Sequence, residues 1–164
     1  MNLLVKNNFL YTARDTLRCA IGRNGLTKNK IEGDMCTPVG EFKFDKIYYR
    51  ADRLDKLNFL IPSHSIDADD GWCDDPSSKL YNQFIKFPFN ESAERLHRDD
   101  GLYDLICVIS YNTDPIVAGK GSAIFLHICK PNFESTEGCV AIEKSKLIEI
   151  SQEIDLDTKI TISY

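Results

Sequence analysis

The stretches Ala123-Ile-Phe-Leu-His-Ile128 and Cys139-Val-Ala-Ile142 decide the fold of this 164-residue chain. Each is a continuous apolar run, a pattern typical of a buried strand in the centre of a sheet. The largely polar segment 130–137 lies between them and predicts a hairpin loop. In such a hairpin, His127 and Cys139 lie at the same end of the sheet, within side-chain reach of each other.

A cysteine beside a histidine is the arrangement that a thiol nucleophile requires. A thiol of reference pKa about 8.5 is mostly protonated at pH 7, and an imidazole can take its proton and return it to a leaving amine. Gly138 allows a tight turn before Cys139, which exposes main-chain N–H groups to a developing oxyanion. Buried cysteines and strand-end histidines are also common structural residues, so the pair alone leaves a structural role open.

Short β-rich segments separated by turn residues predict a mostly β, or β-rich α+β, fold for the rest of the chain. Residues 1–164 are predicted to form one domain with a long loop insertion near 63–90, and loops of this length usually have a function. A short helix is predicted at 91–97 and another at 145–154, with Ser145 as its N-cap. Further strands are predicted at 3–5, 9–11, 17–21, 39–44, 59–61, 105–109 and 159–162.

The composition argues against several classes of partner. A net charge of −5 opposes the neutralisation of phosphates, so no nucleic acid partner is predicted. The first ten residues do not resemble a signal peptide, and no stretch approaches the roughly 20 apolar residues that span a bilayer. No membrane partner is therefore predicted, and the expected location is cytoplasmic, or periplasmic if an export signal has been removed. The six cysteines are expected to be reduced thiols.

Two motifs resemble those of a known enzyme family. His127 followed by Thr136-Glu-Gly-Cys139 resembles the His…[Ser/Thr]-x-Gly-Cys signature of the YkuD-type L,D-transpeptidase catalytic domain. Upstream, Thr37-Pro-Val-Gly-Glu-Phe42 is similar to the Thr-Pro-x-Gly-x-Phe turn and strand of the same domain. The motifs occur in the family's order, and the resemblance covers residues 3–162.

The resemblance implies a mechanism of acyl transfer on peptidoglycan stem peptides or muropeptides. The cysteine attacks the L,D-peptide bond between diaminopimelate and a terminal D-alanine, which leaves a thioester. Water then makes the enzyme a carboxypeptidase, whereas an amine of a second stem peptide makes it a transpeptidase. The resemblance assigns Cys139 as nucleophile and His127 as base and then acid. Gly138 would shape the oxyanion hole, and Thr136 would support the loop.

The sequence departs from exported members of the family at two positions. They usually carry His before the Gly-Cys pair and Arg or Asn two residues after the cysteine, where this chain has Glu137 and Ala141. The departures resemble members that trim recycled muropeptides in the cytoplasm, so we expect an L,D-carboxypeptidase that releases D-alanine from tetrapeptides. An L,D-transpeptidase and a non-catalytic peptidoglycan-binding module are the alternatives. Retention of Cys139 and His127 argues against the binding module, because binding requires no reactive thiol.

Five further residues are predicted to bind substrate. Trp72 and Asp74, in the long loop, would suit an ammonium group such as that of the D-centre of diaminopimelate. The other three residues precede the catalytic strand: Tyr111, Asn112 and Ser122. Their segment is consistent with a structural turn, which is slightly favoured, or with a wall of the substrate cleft.

Neither a metal nor another cofactor is predicted. His127 and Cys129 share a strand face, but no Cys-x-x-Cys or His-Glu-x-x-His motif accompanies them. Arg23 and Lys120 can hold the terminal carboxylate of a peptide, although a solvated surface role is favoured for each. The sequence leaves the oligomeric state open.

Overall fold

The computed structural model describes residues 1–164, which form fifteen strands, one α-helix and one short 3-10 helix. The strands are β1 (Asn2–Lys6), β2 (Phe9–Tyr11), β3 (Thr16–Arg18), β4 (Leu26–Thr27), β5 (Thr37–Pro38), β6 (Gly40–Phe42), β7 (Phe44–Tyr49), β8 (Ser63–Ser65), β9 (Asp70–Cys73), β10 (Phe84–Lys86), β11 (Ala93–Arg95), β12 (Leu105–Ile109), β13 (Phe125–Ile128), β14 (Val140–Ile142) and β15 (Lys159–Ile162). The helix α1 spans Lys144–Ser151, and the 3-10 helix spans Pro131–Phe133. The mostly β class predicted from the sequence is confirmed.

Three sheets and one short strand pair make up the architecture. The central sheet has the strand order β14-β13-β12-β7-β8, and the amino-terminal sheet has the order β3-β2-β1-β15-β6. A small sheet has the order β10-β9-β11, and β4 pairs with β5. No helix is long and apolar enough to cross a membrane.

The central sheet has a core on each of its faces. Side chains alternate along a strand, so Leu126 and Ile128 of β13 point into the larger core, which includes residues of the amino-terminal sheet and α1. Phe125 points the other way, into a second cluster that contains Trp72 of the small sheet and Cys139. The candidate nucleophile therefore lies between the central sheet and the small sheet.

The predicted hairpin between the two apolar runs is wrong in its direction. Strands β13 and β14 pair in parallel, with His127 opposite Ala141. The connection returns along the sheet before β14 begins, held by backbone hydrogen bonds from Thr136 N–H to Ile21 C=O and from Arg23 N–H to Thr136 C=O, each 2.9 Å. An apolar run reads the same in both directions, so its pattern could not distinguish parallel from antiparallel pairing.

Two other predictions need correction in the region around the small sheet. The segment 63–90 is not one long loop, because it contains β8, β9 and β10. The segment 91–97 contains no helix but the short strand β11, which pairs antiparallel with β9. These strands have three or four residues, too few to produce a recognisable alternation, and their pairing partners determine their conformation.

The ends of the chain follow the sequence more closely. Strands β1 and β2 form the predicted hairpin, with Asn7 and Asn8 in the left-handed conformation at its turn. Helix α1 forms close to its predicted range, but its N-cap is Glu143 rather than Ser145. Residues 59–61 form no strand, although Ile61 is buried in the larger core.

Candidate active site

A cleft of about 340 Å³ opens between the central sheet, the small sheet and the loop before β14. Six of the predicted site residues line it: Cys139, His127, Gly138, Thr136, Asp74 and Ser122. The parallel pairing of β13 with β14 makes His127 and Cys139 diagonal neighbours on one face of the sheet. The structure thus brings the predicted pair to one cleft, although the two strands are parallel and not antiparallel as predicted.

Cys139 is buried, with 8 % of its surface exposed, and its thiol is held by main-chain groups. The S–H group donates to the carbonyl oxygen of Ala123 at 3.1 Å, and Sγ accepts the N–H of Phe125 at 3.4 Å. Burial, followed by the Glu94 carboxylate, raises the pKa of the Cys139 thiol to about 12. The resting nucleophile is therefore a protonated thiol at neutral pH.

His127 is equally buried, with 6 % of its surface exposed. Its Nδ1 lies 2.9 Å from the carbonyl oxygen of Ile128. A carbonyl only accepts, so Nδ1 carries the hydrogen and Nε2 is the free base. Burial lowers the pKa of His127 to about 4, although the carbonyls of Ile128 and Leu102 act in the opposite direction. No hydrogen bond joins His127 to Cys139, so the resting pair consists of a neutral base and a neutral thiol.

The loop before the nucleophile is fixed by two threonines from different motifs. The Thr136 hydroxyl donates to the Cys139 carbonyl at 2.6 Å and accepts the Gly138 N–H at 3.2 Å. Thr37 of the upstream motif donates to the same Cys139 carbonyl at 3.4 Å and accepts the N–H of Gly22 at 2.8 Å. The two motifs noted in the sequence therefore meet at the backbone of Cys139.

Gly138 occupies a position that a side chain would not fit. Its φ is +145°, and a Cβ atom there would lie 3.0 Å from the carbonyl oxygen of Cys36 and 3.3 Å from Cδ1 of Ile124. With the Gly138 N–H bonded to Thr136, the N–H of Cys139 is the next main-chain donor of the same turn that can face an oxyanion.

A hydrogen-bonded network supports the opposite wall of the cleft. Glu32 accepts hydrogen bonds from the hydroxyls of Tyr81 and Ser122, and the Tyr81 oxygen accepts the N–H of Gly121 at 2.9 Å. Ala123, which follows Ser122, has a φ of +52°, an uncommon conformation for alanine that is typical of constrained sites. This conformation presents the Ala123 carbonyl to the thiol of the nucleophile.

Glu94 and Tyr103 form a second polar pair in the cleft. The Tyr103 hydroxyl donates to Oε2 of Glu94 at 2.9 Å. The Tyr103 ring packs edge-on against the ring of His127, with centroids 5.2 Å apart, and Arg98 lies 5.0 Å from its centroid. Burial, followed by the Asp74 carboxylate, raises the pKa of Glu94 to about 7, although the Tyr103 hydroxyl opposes this change. Neither residue belongs to a sequence motif, so neither was predicted as part of the site.

Three of the predicted substrate-binding residues lie outside the cleft. Trp72 is buried against Phe125, and its indole N–H donates to Oδ1 of Asn82 at 3.0 Å. Tyr111 donates its hydroxyl to the carbonyl of Lys120, and Asn112 closes a turn through hydrogen bonds with Val117 and Gly121. Trp72 therefore belongs to the core and not to the cleft, whereas Tyr111 and Asn112 form the structural turn that the sequence slightly favoured over a cleft wall.

The two basic residues considered for a carboxylate occupy different places. Arg23 is exposed at the cleft and makes no ion pair, whereas Lys120 is exposed outside it. Elsewhere, His64, Asp67 and Asp70 have ligand atoms within 4.8 Å of one another. The ammonium group of Lys86 lies 2.7 Å from Asp70 and 3.2 Å from Asp67, so a side-chain cation already forms ion pairs with both carboxylates.

A family model described as the L,D-transpeptidase catalytic domain, YkuD, matches residues 3–162. The chain belongs to this family. Neither the curated proteins nor the solved structures gave a significant match. Members of the L,D-transpeptidase family use a cysteine for catalysis on the stem peptides of peptidoglycan, so the cleft is the candidate site for that chemistry in this chain.

Proposed function

We propose that this L,D-transpeptidase family member is an L,D-carboxypeptidase that releases the terminal D-alanine of tetrapeptide stems. The observation that supports this proposal is the position of Cys139 and His127 on one face of neighbouring strands, both lining a single cleft. A nucleophile and a base at the wall of a cleft are the elements that acyl transfer requires.

In the first half-reaction, Sγ of Cys139 attacks the carbonyl carbon of the third residue of the stem. Its proton passes to Nε2 of His127, because Nδ1 is held by the Ile128 carbonyl. The S–H group must first leave its hydrogen bond with the Ala123 carbonyl and turn toward His127. His127 then gives the proton to the departing amine, the C–N bond breaks, and a thioester to Cys139 remains.

In the second half-reaction, water attacks the thioester. His127 accepts a proton from the water, the C–S bond breaks, and the proton returns to the sulfur as the tripeptide leaves with a new carboxyl group. The cleft of about 340 Å³ lies near the lower end of the range for small-molecule sites. A cleft of this size accommodates one peptide terminus, and water as the acceptor requires no further binding site.

The two sequence departures support the same choice of acceptor. Glu137 lines the cleft immediately before the Gly-Cys pair, and Ala141 lies opposite His127 in the strand register. The methyl group of Ala141 has neither the charge nor the hydrogen-bonding groups of the Arg or Asn usual in exported members. Recycling of muropeptides in the cytoplasm is the setting we propose for this hydrolysis, and cell fractionation would test that location.

The test is an incubation of the purified protein with disaccharide tetrapeptide, with and without a D-amino acid or a second stem peptide as acceptor. Mass spectrometry follows the release of D-alanine and the identity of the product. Tripeptide as the main product in the presence of acceptor supports the carboxypeptidase. Predominance of an exchanged or crosslinked peptide would establish transpeptidation instead. The control variant Cys139→Ser should be inactive.

A further inference from the structure

Glu94 presents a carboxyl group without an ion pair to the cleft, and above its pKa of about 7 this group is negatively charged. Its Oε2 accepts the Tyr103 hydroxyl, and the structure contains no other hydrogen bond and no ion pair of Glu94. Oε1 is therefore available to a ligand. The side chain lies on β11 between the exposed surface and the buried ring of Tyr103, which itself packs against His127. This carboxylate is consequently close to the reacting groups and fixed in position by a tyrosine.

The charges around Glu94 favour a cationic ligand. Asp74 and Glu137 also line the cleft, and both raise the pKa of Glu94. Arg98, whose charge lowers the pKa of Glu94, forms an ion pair with Asp100 and lies over the Tyr103 ring. A positive group next to Glu94 would relieve the repulsion among the carboxylates and replace the solvation that burial removes.

We infer that Glu94 determines substrate specificity by accepting the ammonium group on the side chain of the third stem residue. The inference rests on the proposed function of the cleft and names the group that the cleft recognises. From the sequence alone, an ammonium group is expected near Trp72 and Asp74. Because Trp72 is buried outside the cleft, the acceptor is instead Glu94, with Asp74 beside it. A stem peptide with diaminopimelate in third position carries such a group at its D-centre.

The variant Glu94→Gln separates recognition of charge from structural support. Glutamine has nearly the same shape, and its amide oxygen can still accept the Tyr103 hydroxyl, so the packing against His127 is retained. Only the negative charge is lost. Glu149→Gln is the matched control, since it removes one negative charge from the exposed surface of α1, outside the cleft.

The experiment measures binding without turnover, by calorimetry at pH 8 on proteins that carry Cys139→Ser. The two probes are a tetrapeptide with diaminopimelate and the same peptide acetylated at the amine of the D-centre. We expect the unmodified peptide to bind about tenfold more tightly, as a charge-assisted hydrogen bond would provide. Glu94→Gln should abolish that preference, and Glu149→Gln should retain it.

Two results would overturn the inference: equal binding of the two peptides, or a preference that survives Glu94→Gln. Failure of the unmodified peptide to bind would overturn it as well. Release of D-alanine by the protein with Cys139 intact is measured in parallel. Cleavage of both peptides at equal efficiency would refute the role of Glu94 and leave the carboxypeptidase standing. A charge preference in binding without any cleavage would refute the carboxypeptidase and leave recognition by Glu94 standing.

Discussion

Replacement of His127 by glutamine should change how the folding stability depends on pH. Burial lowers the pKa of His127 from 6.5 to about 4 in the folded protein. Below pH 6.5 the unfolded chain binds a proton at this residue that the folded protein does not bind. The stability contributed by the neutral imidazole is therefore complete above pH 6.5 and is lost as the pH falls through 4. Each pKa unit corresponds to about 1.4 kcal/mol, so the loss is about 3 kcal/mol over this window.

Urea unfolding of the wild type and His127→Gln at several pH values between 4 and 7 measures this contribution. The substitution also has a packing cost, but that cost does not depend on pH. The difference in unfolding free energy between the two proteins should therefore increase by about 3 kcal/mol from pH 4 to pH 7. A difference that stays constant would refute the buried, neutral state of His127 on which the proposed base depends.

Glu94 provides a comparison of opposite sign in the same assay. Its pKa is raised from 4.5 to about 7, by burial first, so the folded protein holds a proton that the unfolded chain releases. The corresponding stability is present below pH 4.5 and is lost as the pH rises through 7. In Glu94→Gln, the stability relative to wild type should therefore improve as the pH rises, the reverse of the behaviour of His127→Gln.

Three further predictions concern the nucleophile and its loop. Because the pKa of Cys139 is raised to about 12, its alkylation by iodoacetamide, mapped by mass spectrometry, should accelerate about tenfold per pH unit between pH 7 and 10; a plateau near pH 6 would indicate a preformed thiolate instead. Gly138→Ala should cost about 1–3 kcal/mol in urea unfolding and reduce kcat, since φ is +145° and the Cys36 carbonyl is close; wild-type stability and kcat would contradict the strained turn. Thr136→Val should lower stability by about 1–2 kcal/mol and also reduce kcat, because the Cys139 carbonyl loses its 2.6 Å hydrogen bond; Thr136→Ser should restore much of both.

The sequence allowed the apolar strands to be located but not oriented. Strands β12 and β13 were predictable because a buried central strand leaves a continuous apolar run. The parallel direction of β14 depends on backbone hydrogen bonds between the connecting loop and residues near Ile21, and no side-chain pattern records them. The small sheet was missed for a related reason, since strands as short as β11 form only where a partner strand lies beside them.

The site was predictable to the extent that it lies in motifs. Cys139, His127, Gly138 and Thr136 were identified from one motif, and the structure places all four at the cleft. Glu94 lies on β11, a strand that the sequence pattern did not predict. The pairing of β11 with β9 places the Glu94 side chain at the cleft. Aromatic residues were the least reliable indicators of the site, because a tryptophan within a polar segment can either belong to the core or bind a ligand.

The central claim is that Cys139 forms a thioester with the stem peptide. Intact-protein mass spectrometry of a reaction with tetrapeptide, quenched in acid at early times, tests it most directly, with fragmentation to locate any adduct. We predict an added mass equal to the tetrapeptide minus D-alanine, located on Cys139 and absent after treatment with hydroxylamine. Release of D-alanine without an adduct, or an equal rate of release from Cys139→Ser, would contradict the mechanism.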